Sequence, residues 1–158
     1  MIDIKNIDAI LKEAAVEALD AISNGRSGLD FAFPVSAPPP GANECAEGVI
    51  SVVISVEVPV NLKFFMKATR GLMISITAAA FETDENQVGA DGYMDTGAEI
   101  LNIAAGTCAK KVLPEKISFR LGLPEKNTAW NGDGLNILTQ CGFTRGAGEY
   151  ITFTIYAP

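Results

Sequence analysis

Asp95, Glu99 and Asn102 are spaced four and three residues apart within DGYMDTGAEILNIAAGTCAKKVL, the stretch from Asp91 to Leu113. Wound as an α-helix at ~100° per residue, these three and Gly106 fall within roughly 60° of one another. Tyr93, Gly97, Ile100, Leu101, Ala104 and Cys108 fall on the opposite side, with Val112 at its edge. Ala98, Ala105 and Ala109 flank the polar stripe, so the spacing predicts a ridge with nothing bulky beside it. The chemistry on offer is polar recognition: a carboxylate and a carboxamide one turn apart, with room for another molecule.

Polar residues at this spacing are usually the wet side of an amphipathic helix. Two features set this stripe apart. Glycine costs about 1 kcal/mol relative to alanine inside a helix, which Gly97 offsets by close packing and Gly106 by allowing close approach to the stripe. Asn102 is an indifferent helix former where lysine or glutamate would solvate the face better.

The rest of the chain must hold that ridge in place. Its 158 residues suffice for one domain with a real core. Ile4, Ile7, Ile10, Leu11, Ala14, Ala15, Ala18, Leu19 and Ile22 predict an amphipathic helix from about Asp3 to Ile22, stopped by Asn24-Gly25. Leu29, Phe31 and Phe33 alternate as in a short strand, and Pro38-Pro39-Pro40-Gly41 forces an extended loop. GVISVVISVEVPV and LKFFMKA read as an antiparallel hairpin over residues 49–68. TRGLMISITAAAFE fits both a strand and a helix; its alanine run favours a helix starting at a Thr69 cap. After Leu113-Pro114 the chain turns to strands. KISFRLGLP points Ile117, Phe119 and Leu121 inward, NTAWNGDG is turn-rich, and GLNILTQCGF and EYITFTIYA flank a glycine-rich loop. The order is helix, hairpin, helix, helix, three strands: a two-layer α+β domain spanning 1–158, its helices on one face of a mainly antiparallel sheet.

Several function classes are excluded. The sequence has no histidine, so Ser-His-Asp and Cys-His catalysis and His-ligated zinc or iron are out. A net charge of −7, with no basic cluster denser than Lys110-Lys111, argues against nucleic acid. No apolar run reaches the ~20 residues of a membrane span. Cys45, Cys108 and Cys141 are widely spaced and odd in number, reading as reduced thiols rather than a disulfide framework or metal site. With no signal-like start, the expected location is the cytoplasm.

At GAEILNIAAGTCAKKVL the sequence resembles the CheC/CheX-type chemotaxis phosphatases. Their motif is an acidic or seryl residue, then Glu, then Asn, with a proline some twenty-odd residues on. Asp95, Glu99, Asn102 and Pro124 match it here, and Gly106 matches a glycine often found after the Asn. One copy of the motif places the resemblance nearer CheX than CheC. The glycine- and β-branched-rich segment 69–82 and the proline run at 38–41 depart from the family pattern.

The resemblance implies hydrolysis of the aspartyl phosphate on a response-regulator receiver domain, with Asn102 orienting an in-line water and Glu99 pairing with the receiver's active-site lysine. Asp95, Ala98, Ala105 and Gly106 then form the contact surface around them. It implies no metal or cofactor of the chain's own, Mg²⁺ being held by the receiver, and a homodimer formed through a sheet edge. The alternatives are a catalytically inactive module that binds a receiver or another signalling protein, and a structural dimer whose stripe is only solvated.

Overall fold

The structure is a computed structural model that describes residues 5–26, 28, 48–58, 61–126, 134–146 and 148–158, with residues 30–34 described as backbone. The proline run at 38–41, the turn at 127–133 and Cys45 lie outside the described residues.

The first helix, α1, is Ile7–Ser23. It buries Ile7, Leu11, Ala14, Ala15, Ala18 and Leu19, the stripe its periodicity predicts. Asn24 ends it in the left-handed conformation (φ 52°), and the Asn24 and Gly25 amides close on the Asp20 carbonyl. Strand β1, Asp30–Pro34, follows. The hairpin of β2 (Val49–Val58) and β3 (Leu62–Thr69) pairs in antiparallel register from Val49↔Thr69 to Val56↔Leu62.

The ambiguous segment is helical: α2 runs Arg70–Phe81. Thr69 precedes it but makes no side-chain cap. Its hydroxyl instead accepts from the Tyr150 amide at 3.3 Å, and the Arg70 amide donates to the Gly48 carbonyl at 2.6 Å. The end of β3 is thus fixed by its strand neighbours, and the helix starts where that pairing stops. A 3-10 turn at Glu85–Gln87 leads into α3, Ala90–Val112.

Strand β4 is only Arg120–Leu121 and β5 only Glu125–Lys126. The long inward-facing strand expected from KISFRLGLP is therefore corrected: Ile117 and Phe119 precede the pairing and stay half-buried, as does Leu121. Pro124 cannot donate to a ladder, so the edge breaks around it into two short strands that take successive parts of β2. The strands β6 (Asn136–Arg145) and β7 (Glu149–Ala157) form the last hairpin.

All pairings are antiparallel, in the order β1-β6-β7-β3-β2-β4, with β5 beside β4 on β2. Register stacks Ile54, Phe64 and Ile155, and likewise Val52, Met66 and Phe153, on one face. These join the helices' apolar residues in a single buried core. The architecture is α+β, three helices over one face of the sheet.

Cys108 and Cys141 are free and buried in this core, and burial pushes both thiols up to about 12. In a Cys45→Ser background, a thiol reagent at pH 8 should label neither until the protein unfolds. Prompt labelling of the native protein would contradict the packing. A thiol pKa raised from 9.0 to about 12 on folding also means stability is intact below pH 9 and falls as pH rises toward 12.

Candidate functional site

The site is a strip of α3, and its width is set by what packs on either side. Gly97 faces the sheet. A Cβ there would lie 3.1 Å from Met66 Cε, 3.3 Å from Ile50 Cδ1 and 3.6 Å from Met73 Cε, so the helix sits close to β2, β3 and α2. On one flank Lys111 Nζ reaches Glu13 of α1 at 3.0 Å. On the other flank, more than a third of a turn around, the β4–β5 segment runs alongside. A Cβ on Gly106 would lie 3.6 Å from Leu121 Cδ1, and Lys126 is ion-paired with Asp95. The five residues from Leu121 to Lys126 and the eleven from Gly106 back to Asp95 both span roughly 16 Å. The segment is therefore antiparallel to the helix, with Leu123 and Pro124 between its two tether points.

What remains uncovered is narrow. Asp95 and Glu99 are exposed, and Asn102 and Gly106 half-buried. The structure thus brings the four predicted stripe residues together on one side of α3, with Pro124 on the segment beside them. Neither Glu99 nor Asn102 has a hydrogen-bond or ion-pair partner among the described residues.

Asp95 differs: Lys126 engages it, so it tethers the edge segment to the helix. Sequence reading missed Lys126, whose thirty-one-residue separation from Asp95 leaves no periodic signal.

The alanines are a correction. Ala98 (8% exposed) and Ala105 (0%) belong to the core, as does Ala109. A bare helical wheel places them beside the stripe, but the packed flanks of α3 enclose more than half its circumference. Ala105 has no surface to offer a partner, and Ala98 almost none. Tyr93, expected on the buried side, is half-buried.

Two large apolar side chains border the strip instead. Leu123 is 89% exposed and Phe81, at the end of α2, 69% exposed. Sequence gives no warning of either, since both sit where an element ends. Beyond Glu99 the strip opens into a cavity of about 570 Å³ between the ends of α1 and α2 and the first turns of α3. Among the described residues, no group of three His, Cys, Asp or Glu side chains is placed to hold a metal. No helix among them is long and apolar enough to cross a membrane.

Gly106 tests this geometry directly. Its added methyl would make only ordinary contact with Leu121, so Gly106→Ala should recover about 0.5–1 kcal/mol of helix propensity and raise Tm by roughly 1–4 °C. A lowered Tm in calorimetry would show that the edge segment is packed harder against α3 than described.

No protein-family model matches the sequence, and no curated protein does. Solved structures do. A chain of the CheX-CheY-BeF3-Mg+2 complex from Borrelia burgdorferi is 15% identical, with 94% of this chain and 95% of that one covered and a TM-score of 0.70. The chemotaxis protein CheX from Vibrio vulnificus is 14% identical over 96% of this chain and 97% of that one, with a TM-score of 0.69. Thermotoga maritima FliY is 13% identical over 98% of this chain and 87% of that one, with a TM-score of 0.64. With its single layer of helices on an antiparallel sheet and a motif-bearing α3 at the sheet edge, the chain has the fold of the CheX- and CheC-like chemotaxis proteins.

Proposed function

We propose that the chain is a phosphatase for the aspartyl phosphate of a receiver domain in chemotaxis or related two-component signalling. The observation that carries this reading is that Glu99 and Asn102 stand one turn apart on an open strip of α3, neither bonded to a described residue. With Glu99 exposed and Asn102 half-buried, both side chains are accessible to a second molecule. The overall likeness to a chain from a complex with CheY and BeF3, a phosphoryl mimic, supports a receiver as that molecule.

The reaction asks little of the chain. A water attacks the phosphorus in line, the bond to the aspartyl oxygen breaks, and aspartate and inorganic phosphate result. The receiver supplies the acyl phosphate and Mg²⁺. Asn102 supplies orientation: its carboxamide oxygen accepts a hydrogen bond from the water and keeps that capacity at any pH. Glu99 pairs with the receiver's active-site lysine and fixes the helix over the phosphoryl group. Gly106 lets the partner's backbone approach. Asp95, held by Lys126, keeps the edge segment in place and contacts the rim. A 10²–10³-fold acceleration needs only about 3–4 kcal/mol, which positioning supplies.

The protein acts in the cytoplasm in this reading, as a homodimer joined through a sheet edge, since among the described residues β1 has no strand on its outer side and such an edge benefits from pairing. Sedimentation giving a mass near 16.7 kDa would rule the dimer out. The second reading, a module that binds the receiver without dephosphorylating it, has the same surface in its favour and differs only in turnover.

Phosphate release from a phosphorylated receiver separates the two. Asn102→Ala should lower kcat at least tenfold with receiver binding nearly intact. Equal loss of both would make Asn102 a docking residue. Glu99→Ala should chiefly raise KM; an unchanged KM contradicts its pairing with lysine. Wild-type protein that binds the receiver without speeding release would leave the binding module as the answer.

A further inference from the structure

The cavity beyond Glu99 has an electrostatic character that the hydrolytic reading does not use. Two helices end at it. Ile22 and Asn24 come from the end of α1, Ala80 and Phe81 from the end of α2, and Thr96 and Glu99 from α3. A helix C-terminus carries a partial negative charge of roughly half a unit. Neither α1 nor α2 has a basic residue in its last turn to offset it. Glu99 and Asp95 add carboxylates from the opposite wall.

The nearby cations are already matched. Lys126 is paired with Asp95, and Arg26, just past α1, lies 3.8 Å from Glu82, just past α2. Arg26 is thus matched by Glu82 at the helix ends, no described Lys or Arg lines the cavity, and Glu99 faces it without a described cation against it. The remaining wall mixes the polar Asn24 and Thr96 with the apolar Ile22, Ala80 and Phe81, whose ring is exposed.

We propose that this cavity receives a guanidinium side chain, an arginine of the docked receiver. A volume of about 570 Å³ holds a long side chain and far exceeds what a lone ion fills. Guanidinium suits it better than ammonium because it is planar, weakly hydrated and stacks on aromatic rings, while its stem lies on Ile22 and Ala80. Glu99 belongs to both the strip and the cavity wall, and a carboxylate accepts several donors at once. A protein pressed onto Asn102 therefore also covers the cavity mouth. This part of the inference rests on the phosphatase reading and makes the cavity a determinant of which receiver is served.

Two measurements test it, one without any receiver. Ethylguanidinium titrated into the wild-type protein should shift the amide resonances of Ile22, Ala80, Phe81 and Glu99. Neutral ethylurea of similar shape should not, and Ala80→Lys, which plants an ammonium in the cavity, should abolish the shifts. No shift, or an equal response to ethylurea, overturns the cavity as a cation site. With the phosphorylated receiver, Phe81→Ala should raise KM about fivefold and leave kcat within twofold; the ring is mostly exposed, so folding is spared. An unchanged KM alongside ethylguanidinium shifts rejects a receiver arginine as the occupant while the phosphatase reading stands. If wild-type protein releases no phosphate, that reading falls. The cavity is then decided by the ethylguanidinium shifts, and its occupant by whether Phe81→Ala weakens binding of beryllofluoride-loaded receiver about fivefold.

Discussion

Gly97 has no side chain, and Met66, Ile50 and Met73 fill the space one would need. This close approach sets the depth of α3 over the sheet, and the depth fixes what the helix shows outside. A methyl group on Gly97 would press on the ends of Met66 and Ile50 and displace them, or the helix, by a few tenths of an ångström. Held low, α3 is clasped by α1 through Lys111–Glu13 and by the β4–β5 edge through Lys126–Asp95. Only the strip of Glu99 and Asn102 is left, with a cavity at one end and Leu123 beside it. The propensity cost of a mid-helix glycine is offset by this packing.

The edge segment matters for the same reason. Strand pairing alone holds β4 and β5 weakly, with two residues each on β2 and a proline between them. Further ties supplement it: the Gly122 amide donates to the Ser55 carbonyl at 2.7 Å, and Arg120 Nε donates to Glu57 at 2.9 Å. Exposed ion pairs contribute little each, typically under 1 kcal/mol. Their role here is placement. They hold the segment along the helix between its contacts at Gly106 and Asp95, and Leu123 and Pro124 lie on that segment.

What the sequence reveals and what it hides divide along one physical line. Properties that repeat along a single element were legible: the two faces of α3, the apolar stripe of α1, the alternating strands of the β2–β3 hairpin. The 70–81 segment was legible through its alanines, which pack against neighbouring helices without asking for strand alternation. Properties arising where distant elements meet were hidden. Ala98 and Ala105 border the stripe on a helical wheel, yet the packed flanks of α3 take them into the core. The strand expected over Ile117–Leu121 is cut short because Arg120 already pairs with Val58, the last residue of β2, so Ile117 and Phe119 lie beyond its end. The cavity joins the ends of two helices to the start of a third, and no periodicity within any one of them announces it.

The order of side chains along the strip also fits the charge of the proposed substrate. The chain carries a net charge of −7, and a phosphoryl group is itself anionic, so approach is repulsive unless the nearest group is neutral. Asn102 is neutral. A carboxylate in its place would orient water equally well but would repel the phosphoryl oxygens. A lysine would bind them before the transition state as strongly as in it, and such uniform binding gives no gain in kcat. The carboxamide avoids both costs. Glu99 lies one turn farther along, about 5–6 Å away, the distance at which the proposed pairing with a receiver lysine keeps its charge off the phosphoryl group. Asp95, the next acid along the strip, is compensated by Lys126. The uncompensated negative charge of the strip is thus confined to Glu99, one turn from Asn102 and on the wall of the cavity proposed to take a cation.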